Sequence, residues 1–84
     1  METTETPLSF GDWLRMRRRQ LNLEQSDIEH KTGVNRDRIS KWENHKIEKP
    51  RLTPKQARLM RQVLQVGEDL FIKASEGELT IQIN

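Results

Sequence analysis

Hydrophobic residues recur at helical spacing along most of the chain, and turn or capping residues separate these periodic segments. The first segment begins after Ser9, a predicted N-cap whose capping-box partner would be Asp12, and should extend to about Gln20. A second helix is predicted over about residues 24–31, and Gly33 can adopt the left-handed conformation that ends a helix. The pattern therefore predicts two helices before the middle of the chain.

The third periodic segment has a more polar surface than the first two. Asn35 is its predicted N-cap, and the helix should extend through Asn44. Ile39 and Trp42 lie three residues apart and therefore share one face. Most of the other residues of this segment are charged or polar. The pattern thus predicts a helix with a narrow buried side and a broad exposed one.

The C-terminal half is predicted to contain two more helices and a strand. Thr53 is a good N-cap for the fourth helix, and a short fifth helix over residues 68–74 would bury Leu70 and Phe71. Apolar and polar residues alternate over residues 79–83, which favours a strand. Because a lone strand is unstable in water, it needs a partner, either in its own domain or in a second subunit.

Two helices joined by a tight glycine turn, the second of them basic and polar on its outer side, are typical of a helix-turn-helix. In such a motif the second helix must expose hydrogen-bonding side chains to base edges while its back face anchors on the first helix. Ile28, Val34, Ile39 and Trp42 have the spacing for that anchor. The sequence therefore predicts a recognition helix over residues 35–44.

These elements predict an all-α fold, a compact bundle of about five short helices with a helix-turn-helix, plus a C-terminal β-strand as an additional element. A chain of 84 residues has room for one domain with a modest core. We expect residues 1–7 to be a disordered N-terminal arm and residues 8–75 to form the helix-turn-helix domain. Residues 76–84 would be a tail that could serve as a dimerisation strand.

The charge distribution is far less even than the net charge of +2 suggests. Residues 13–61 contain 14 of the 15 Lys and Arg residues and six acids, whereas the flanks contain one Lys and seven acids. A basic centre with acidic ends can hold a polyanion in one place and repel it elsewhere. Charge alone also fits a solvated helical surface, so both interpretations stay open at this point.

Several classes of protein and site find no support in the sequence. No apolar run approaches the roughly 20 residues of a membrane span, and the N-terminus lacks the features of a signal peptide. The chain has no cysteine, and His30 and His45 lack partners at metal-ligand spacing. No catalytic triad, carboxylate pair or phosphate-binding glycine loop stands out. We therefore expect a cytoplasmic, nucleoid-associated protein that is not an enzyme and uses no metal or cofactor.

From Phe10 to Phe71 the chain resembles the Cro and phage-repressor type of helix-turn-helix DNA-binding domain, a five-helix bundle. The resemblance rests on residues that occur at the spacing of that family. These residues are Leu14, Arg18, Leu23, Gln25, Ile28, Gly33, Val34, Ile39, Trp42, Glu43, Asn44, Pro50 and Leu64.

The resemblance also implies which residues bind DNA. They are Gln25, Asn35, Arg36, Asp37, Arg38, Ser40, Lys41, Asn44, Lys46 and Arg51. Those at the positions that reach bases in the major groove are Arg36, Asp37, Ser40 and Lys41. Phosphate or backbone contacts are implied for Gln25, Arg38, Asn44 and Lys46, and a contact toward the minor groove is implied for Arg51.

Arg36 offers a donor fork suited to guanine, whereas Asp37 is unusual beside phosphates. The Asp37 carboxylate would either accept from a cytosine amino group or orient Arg36 or Lys41, and the sequence does not decide between these roles. The resemblance further implies a structural ion pair between the first and third helices. Its members are Arg18 and Glu43.

Four residues depart from the pattern of the family. Glu29 replaces a small residue, and His45 replaces a glycine after the recognition helix. Glu24 replaces a Ser or Thr cap, and Arg17 replaces an apolar residue. These departures affect the expected local geometry and not the expected fold.

The predicted function is that of a sequence-specific regulator of transcription that binds double-stranded DNA, most simply a homodimeric repressor. It would read an inverted repeat through residues 35–44 in the major groove. One alternative is the antitoxin of a toxin–antitoxin pair, which would bind a toxin as well as DNA. Another is a protein-binding adaptor that keeps this fold without reading DNA.

Overall fold

The computed structural model describes residues 4–47 and 49–83. Five helices follow one another between two short strands that lie at the ends of the described chain. In order, the elements are β1 (Thr4–Pro7), α1 (Phe10–Gln20), α2 (Gln25–Thr32), α3 (Arg36–Glu43), α4 (Pro54–Leu64), α5 (Glu68–Ser75) and β2 (Thr80–Ile83). The predicted all-α bundle of about five short helices is confirmed.

Side-chain caps fix where the helices begin. The Ser9 hydroxyl accepts a hydrogen bond from the Asp12 amide at 3.1 Å, as predicted for the start of α1. At α4, Thr53 and Gln56 form the complete predicted capping box, and Pro54 occupies the first turn. At α2, Glu24 takes the N-cap position, and its own amide donates to the carboxylate of Asp27 at 2.8 Å. An acidic side chain in the first turn of α2 thus satisfies a backbone donor there.

The core is built around a cluster of aromatic rings contributed by three helices. Phe10 lies at its centre, with ring centroids 5.4 Å from Trp42, 5.9 Å from Trp13 and 5.9 Å from Phe71. Edge-on and tilted arrangements such as these are favourable for aromatic pairs. The prediction that Leu70 is buried was wrong, since it is 41% exposed and its neighbour Phe71 is the residue of α5 that enters the core.

The N-terminus of α1 lies against the C-terminal end of α3 at a distance that only glycine allows. A Cβ atom built on Gly11 would lie 1.7 Å from the backbone oxygen of Trp42. Because that neighbour is backbone, it cannot turn aside as a flexible side chain would. Gly11 therefore sets how closely α3 can pack on α1.

The two strands pair antiparallel, with Thr4 opposite Ile83 and Pro7 opposite Thr80. The Leu8 amide donates to the oxygen of Leu79 at 2.7 Å and extends the pairing toward the helices. Within the arm that was expected to be disordered, residues 4–7 form a strand, because the alternating C-terminal tail supplies the hydrogen-bonding partner that this segment would lack alone. Residues 1–3, 48 and 84 lie outside the described residues.

Candidate nucleic-acid interface

The turn between α2 and α3 is held by a buried threonine as well as by glycine. Gly33 has a φ of 75°, and its amide donates to the oxygen of Glu29 at 2.9 Å. The Thr32 hydroxyl donates to the oxygen of Ile28 at 2.6 Å and accepts from the Val34 amide at 3.1 Å. This role of Thr32 was not predicted, since its only signal in the sequence was a hydroxyl residue directly before the glycine. The two hydrogen bonds fix the angle at which α3 leaves α2.

α3 is anchored by its apolar residues and by Glu43 at its end, and most of its other polar residues are exposed. Ile39 and Trp42 are fully buried, as the spacing predicted. Arg36 and Lys41 are exposed, and Ser40 is half-buried. The outward face that the sequence predicted for this helix is therefore open to solvent in the described part of the chain.

A polar cleft lies at the start of α3, where it meets α2. It has a volume of about 500 Å³, and the residues that line it are Gln25, Glu29, Asn35, Arg36, Asp37 and Ser40. Five of these six were predicted as site residues from the resemblance. The structure thus brings Gln25 of α2 together with the first residues of α3. Glu29 is the member of the cleft that sequence analysis had identified only as a departure from the family pattern.

Two acceptors satisfy the first amides of α3. The side-chain oxygen of Asn35 accepts from the Asp37 amide at 2.7 Å, as expected of an N-cap. Oε2 of Glu29 accepts from the Arg36 amide at 2.6 Å. A carboxylate at a helix N-terminus is favoured by the helix dipole. Glu29, which replaces the small residue of the family pattern, therefore links α2 to the start of α3 by a hydrogen bond.

The exposed face of α3 carries two polar pairs. Nζ of Lys41 lies 3.2 Å from Oδ2 of Asp37, one helical turn away. The Asn44 side-chain nitrogen donates to the Ser40 hydroxyl at 3.1 Å. The Asp37 carboxylate thus pairs with Lys41 in the protein alone. Because both partners are well exposed, the pair contributes little to stability and can separate when another partner approaches.

Arg38 makes two contacts within the domain, although the resemblance implied a phosphate contact. Its guanidinium lies 5.2 Å from the centre of the Trp42 ring, and it donates a hydrogen bond to the backbone oxygen of Arg51. The loop after α3 is therefore attached to the helix. Lys46 and Arg51, also predicted to contact DNA, lie in this loop and are exposed.

A two-pronged ion pair joins α1 to the end of α3. Nε and Nη2 of Arg18 lie 3.0 Å and 2.8 Å from the two carboxylate oxygens of Glu43. The side chains are only 12% and 4% exposed, and Arg18 also donates to the oxygen of Leu23. The hydrogen bond with Glu43 raises the pKa of Arg18 above its ordinary value, although burial opposes this. The pair that the resemblance implied is thus present and largely shielded from water.

His45 follows α3 in a left-handed conformation, with a φ of 60° at a position where the family prefers glycine. Its ring nitrogen Nε2 lies 2.8 Å from Oδ1 of Asp12 in α1. This hydrogen bond is the main reason that the pKa of Asp12 is lowered. The Asp12 carboxylate therefore does not complete the capping box predicted for α1, because it turns toward His45.

Arg17, the fourth departure from the family pattern, serves the C-terminus of α4. Its Nε donates to the oxygen of Leu64 at 2.9 Å, and a terminal nitrogen donates to the oxygen of Gln65 at 3.4 Å. The last carbonyl groups of a helix lack intrahelical donors and favour a cation. The arginine thus replaces an apolar contact with a polar one between α1 and α4.

The described residues contain no group of three or more His, Asp or Glu side chains that could hold a metal ion. Within the same residues, no helix is both long enough and apolar enough to cross a membrane.

Comparison with known proteins places this arrangement in a family. No curated protein matches the chain. The crystal structure of the P22 c2 repressor protein in complex with a synthetic operator superimposes with a TM-score of 0.64 and 28% sequence identity. The match covers 82% of this chain and 98% of that chain. A helix-turn-helix family model matches residues 14–71. The chain therefore belongs to the helix-turn-helix family of Cro and phage-repressor type.

Proposed function

We propose that this protein is a sequence-specific regulator of transcription that binds double-stranded DNA through α3. The observation that carries the proposal is the division of α3 into a fully buried apolar side and an open polar side. An exposed helix face with several donors fits the major groove, whose edges present a distinct pattern for each base pair. The P22 c2 repressor, which shares the fold, is bound to an operator in its crystal structure, and this likeness supports repression as the mode of regulation.

The start of α3 would enter the groove first, as in other helix-turn-helix proteins. Arg36 lies in the polar cleft and is exposed, so its guanidinium can donate two hydrogen bonds to guanine. Lys41 would reach a base or a phosphate after leaving Asp37, and Gln25 would contact a phosphate from the other side of the cleft. Lys46 and Arg51 would contact the DNA backbone and the minor groove from the loop.

Replacing Arg36 with alanine should weaken specific binding and relax the preference at one base position. A well-made arginine–guanine contact is worth about 1–3 kcal/mol of discrimination. Selection of binding sites from random duplexes, followed by affinity measurements at fixed salt, would measure the change. Lys73→Ala removes the same charge from α5 and should leave the selected sequence unchanged. An Arg36→Ala protein that selects the wild-type sequence with wild-type affinity would contradict the assigned role.

The salt dependence of binding separates this function from that of a protein-binding adaptor. Lys and Arg side chains that neutralise phosphates release counterions, so the affinity for DNA falls steeply as salt is added. We expect such a fall together with a sequence preference. A protein with no affinity for any duplex at low salt would be an adaptor.

We further propose that the protein acts as a homodimer on an inverted repeat whose half-sites lie about one helical turn apart. A single module buries too little surface for high specificity. α5 exposes two large apolar side chains, Leu70 at 41% and Ile72 at 45%, next to the segment that leads into β2. Such a surface supports a protein contact at this end of the molecule.

The free edge of β2 is suited to pairing with a second copy. Paired residues in an antiparallel ladder alternate between exchanging both hydrogen bonds and exchanging none. Since Leu8 donates to Leu79, the same register turns the backbone groups of Thr80 and Gln82 toward the outer edge of β2. The outer edge of β1 is blunted by Pro7, which has no N–H to donate. A two-fold pairing of β2 with its copy would therefore form a four-stranded sheet.

Gln82→Pro should abolish that dimer and leave the monomer folded. The substitution removes an N–H that faces the free edge, a position where proline is tolerated. Mass measured across a dilution series should shift from dimer to monomer, with unchanged helix content. Ile81→Pro, which removes an N–H directed at β1, should instead disturb the sheet of the monomer itself. A Gln82→Pro protein that dimerises as well as wild type would show that β2 is not the interface.

The antitoxin alternative predicts a different occupant of the same end of the molecule. This chain would form a complex with a toxin of different sequence, and the toxin would co-purify with it. A symmetric dimer that binds DNA alone would favour the repressor.

A further inference from the structure

Glu29 is an acidic residue in a surface that is otherwise arranged to meet a polyanion. It belongs to α2, is half-buried, and lines the polar cleft beside Arg36 and Ser40. One carboxylate oxygen, Oε2, accepts from the Arg36 amide at 2.6 Å. The other oxygen, Oε1, has no hydrogen-bonding partner among residues 4–47 and 49–83.

The other carboxylate of the cleft, that of Asp37, does have a partner. Asp37 has Lys41 at 3.2 Å as a counter-charge. No Lys or Arg side chain forms an ion pair with Glu29 in the described part of the chain. A carboxylate that approaches DNA without a counter-charge is repelled by the phosphates unless it meets a hydrogen-bond donor. Glu29 thus lowers affinity for every duplex that offers no donor at its position.

Glu29 also changes what the N-terminus of α3 can bind. The first amides of a helix are a ready site for a phosphate group. Here the Arg36 amide is already occupied by Glu29 and the Asp37 amide by Asn35. With these two amides occupied and a carboxylate beside them, the tip of α3 disfavours a DNA phosphate and presents a hydrogen-bond acceptor.

Bases offer such a donor in the major groove only through amino groups, which are N4 of cytosine and N6 of adenine. We infer that Glu29, held by the Arg36 amide within the polar cleft, is a specificity-determining residue that accepts a hydrogen bond from one of these amino groups. The base would neighbour the one that Arg36 reads. This inference rests on the proposed function, because it requires that the start of α3 enter the groove.

Glu29→Gln provides a sharp test, because it exchanges an acceptor for a donor without changing the shape of the side chain. The amide oxygen can stay on the Arg36 amide, which leaves the NH₂ group in place of Oε1. The NH₂ group of the glutamine needs a hydrogen-bond acceptor, and in the major groove thymine offers one at O4 and guanine one at O6. The preference at one position should therefore change from cytosine to thymine, or from adenine to guanine, by about tenfold in relative affinity.

The experiment is selection of binding sites from random duplexes with wild type, Glu29→Gln, Glu29→Ala and Asp27→Asn. Asp27 lies on the same helix outside the cleft, so its variant controls for the loss of one negative charge. Glu29→Ala should select no particular base at the affected position. Asp27→Asn should select the wild-type sequence, and thermal unfolding of each variant would report the contribution of Glu29 to stability.

The outcomes separate this inference from the proposal on which it rests. A wild-type protein that selects no sequence would refute the proposed function. A wild-type protein that selects a sequence, together with a Glu29→Gln variant that selects the same one, would overturn only the role of Glu29. If Glu29→Gln and Glu29→Ala relax the preference equally, Glu29 acts as a cap of α3 and contacts no base, which also overturns the inference.

Discussion

Gly11→Ala is expected to destabilise the protein by about 3 kcal/mol or more, a large part of the total stability of a small domain. The added methyl group would lie 1.7 Å from the backbone oxygen of Trp42, so α1 and α3 must move apart. That movement would also loosen the contacts of Phe10 with the Trp42 ring. Urea denaturation, followed by tryptophan fluorescence and by helix content, would measure the loss.

Gly67→Ala is the matched control for this prediction. Gly67 has a φ of −78°, and nothing lies within 4 Å of a Cβ atom built there. Its replacement should cost about 1 kcal/mol or less, through the weaker N-cap alone. Equal stability of the Gly11→Ala protein and wild type would mean that the two helices do not approach as closely as the structure shows.

Glu43→Gln is expected to cost about 3 kcal/mol, because it leaves the guanidinium of Arg18 without its counter-charge in a site that is largely closed to water. Replacing both partners by apolar residues, as Arg18→Met with Glu43→Leu, should recover most of that loss. The exchange removes the charge together with its cost of desolvation. Denaturation of Arg18→Met, of Glu43→Leu and of the double variant at neutral pH would give the coupling between the two positions.

An exposed ion pair of the same domain provides the comparison. Arg61 lies 3.4 Å from Glu68, whose side chain is 72% exposed. Glu68→Gln should therefore change the free energy of unfolding by about 0.5 kcal/mol or less. If Glu43→Gln were as mild as Glu68→Gln, the buried pair would not be a structural element of the domain.

The order of the helices and most of their ends could be predicted from local signals. Caps such as Ser9 and Thr53, the left-handed Gly33 and the spacing of Ile39 and Trp42 act within a few residues along the chain. The local structure that these residues predict therefore does not depend on the rest of the fold. The outward face of α3 followed from the same reasoning, because a helix whose apolar residues all lie on one side exposes its opposite side.

Apart from the Arg18–Glu43 pair, which the resemblance implied, the contacts that polar side chains make across the fold could not be predicted. Glu29 reaches the first amide of α3, Arg17 reaches the end of α4, and Asp12 turns to His45 in place of its predicted partner. Of these residues, Glu29, Arg17 and His45 were visible in the sequence only as departures from a pattern. The partner depends on which backbone groups and side chains the finished fold brings within about 3 Å.

The pairing of the two ends was beyond local reasoning for a related reason. A strand of four residues has no stability of its own, so its presence depends on a second segment far along the chain. The alternating tail predicted one strand. The N-terminal segment gave no sign that it would be the other.

The contacts of Arg38 have a consequence for how the protein would meet its target. Its guanidinium lies over the Trp42 ring and donates to the backbone oxygen of Arg51, so this side chain ties Arg51 to α3. If α3 contacts the major groove and Arg51 the minor groove, as proposed, these two contacts of Arg38 would limit how far the two DNA-binding parts move relative to each other before DNA binds. Less entropy would then be lost in aligning the two contacts, and a duplex whose grooves are spaced differently would bind more weakly.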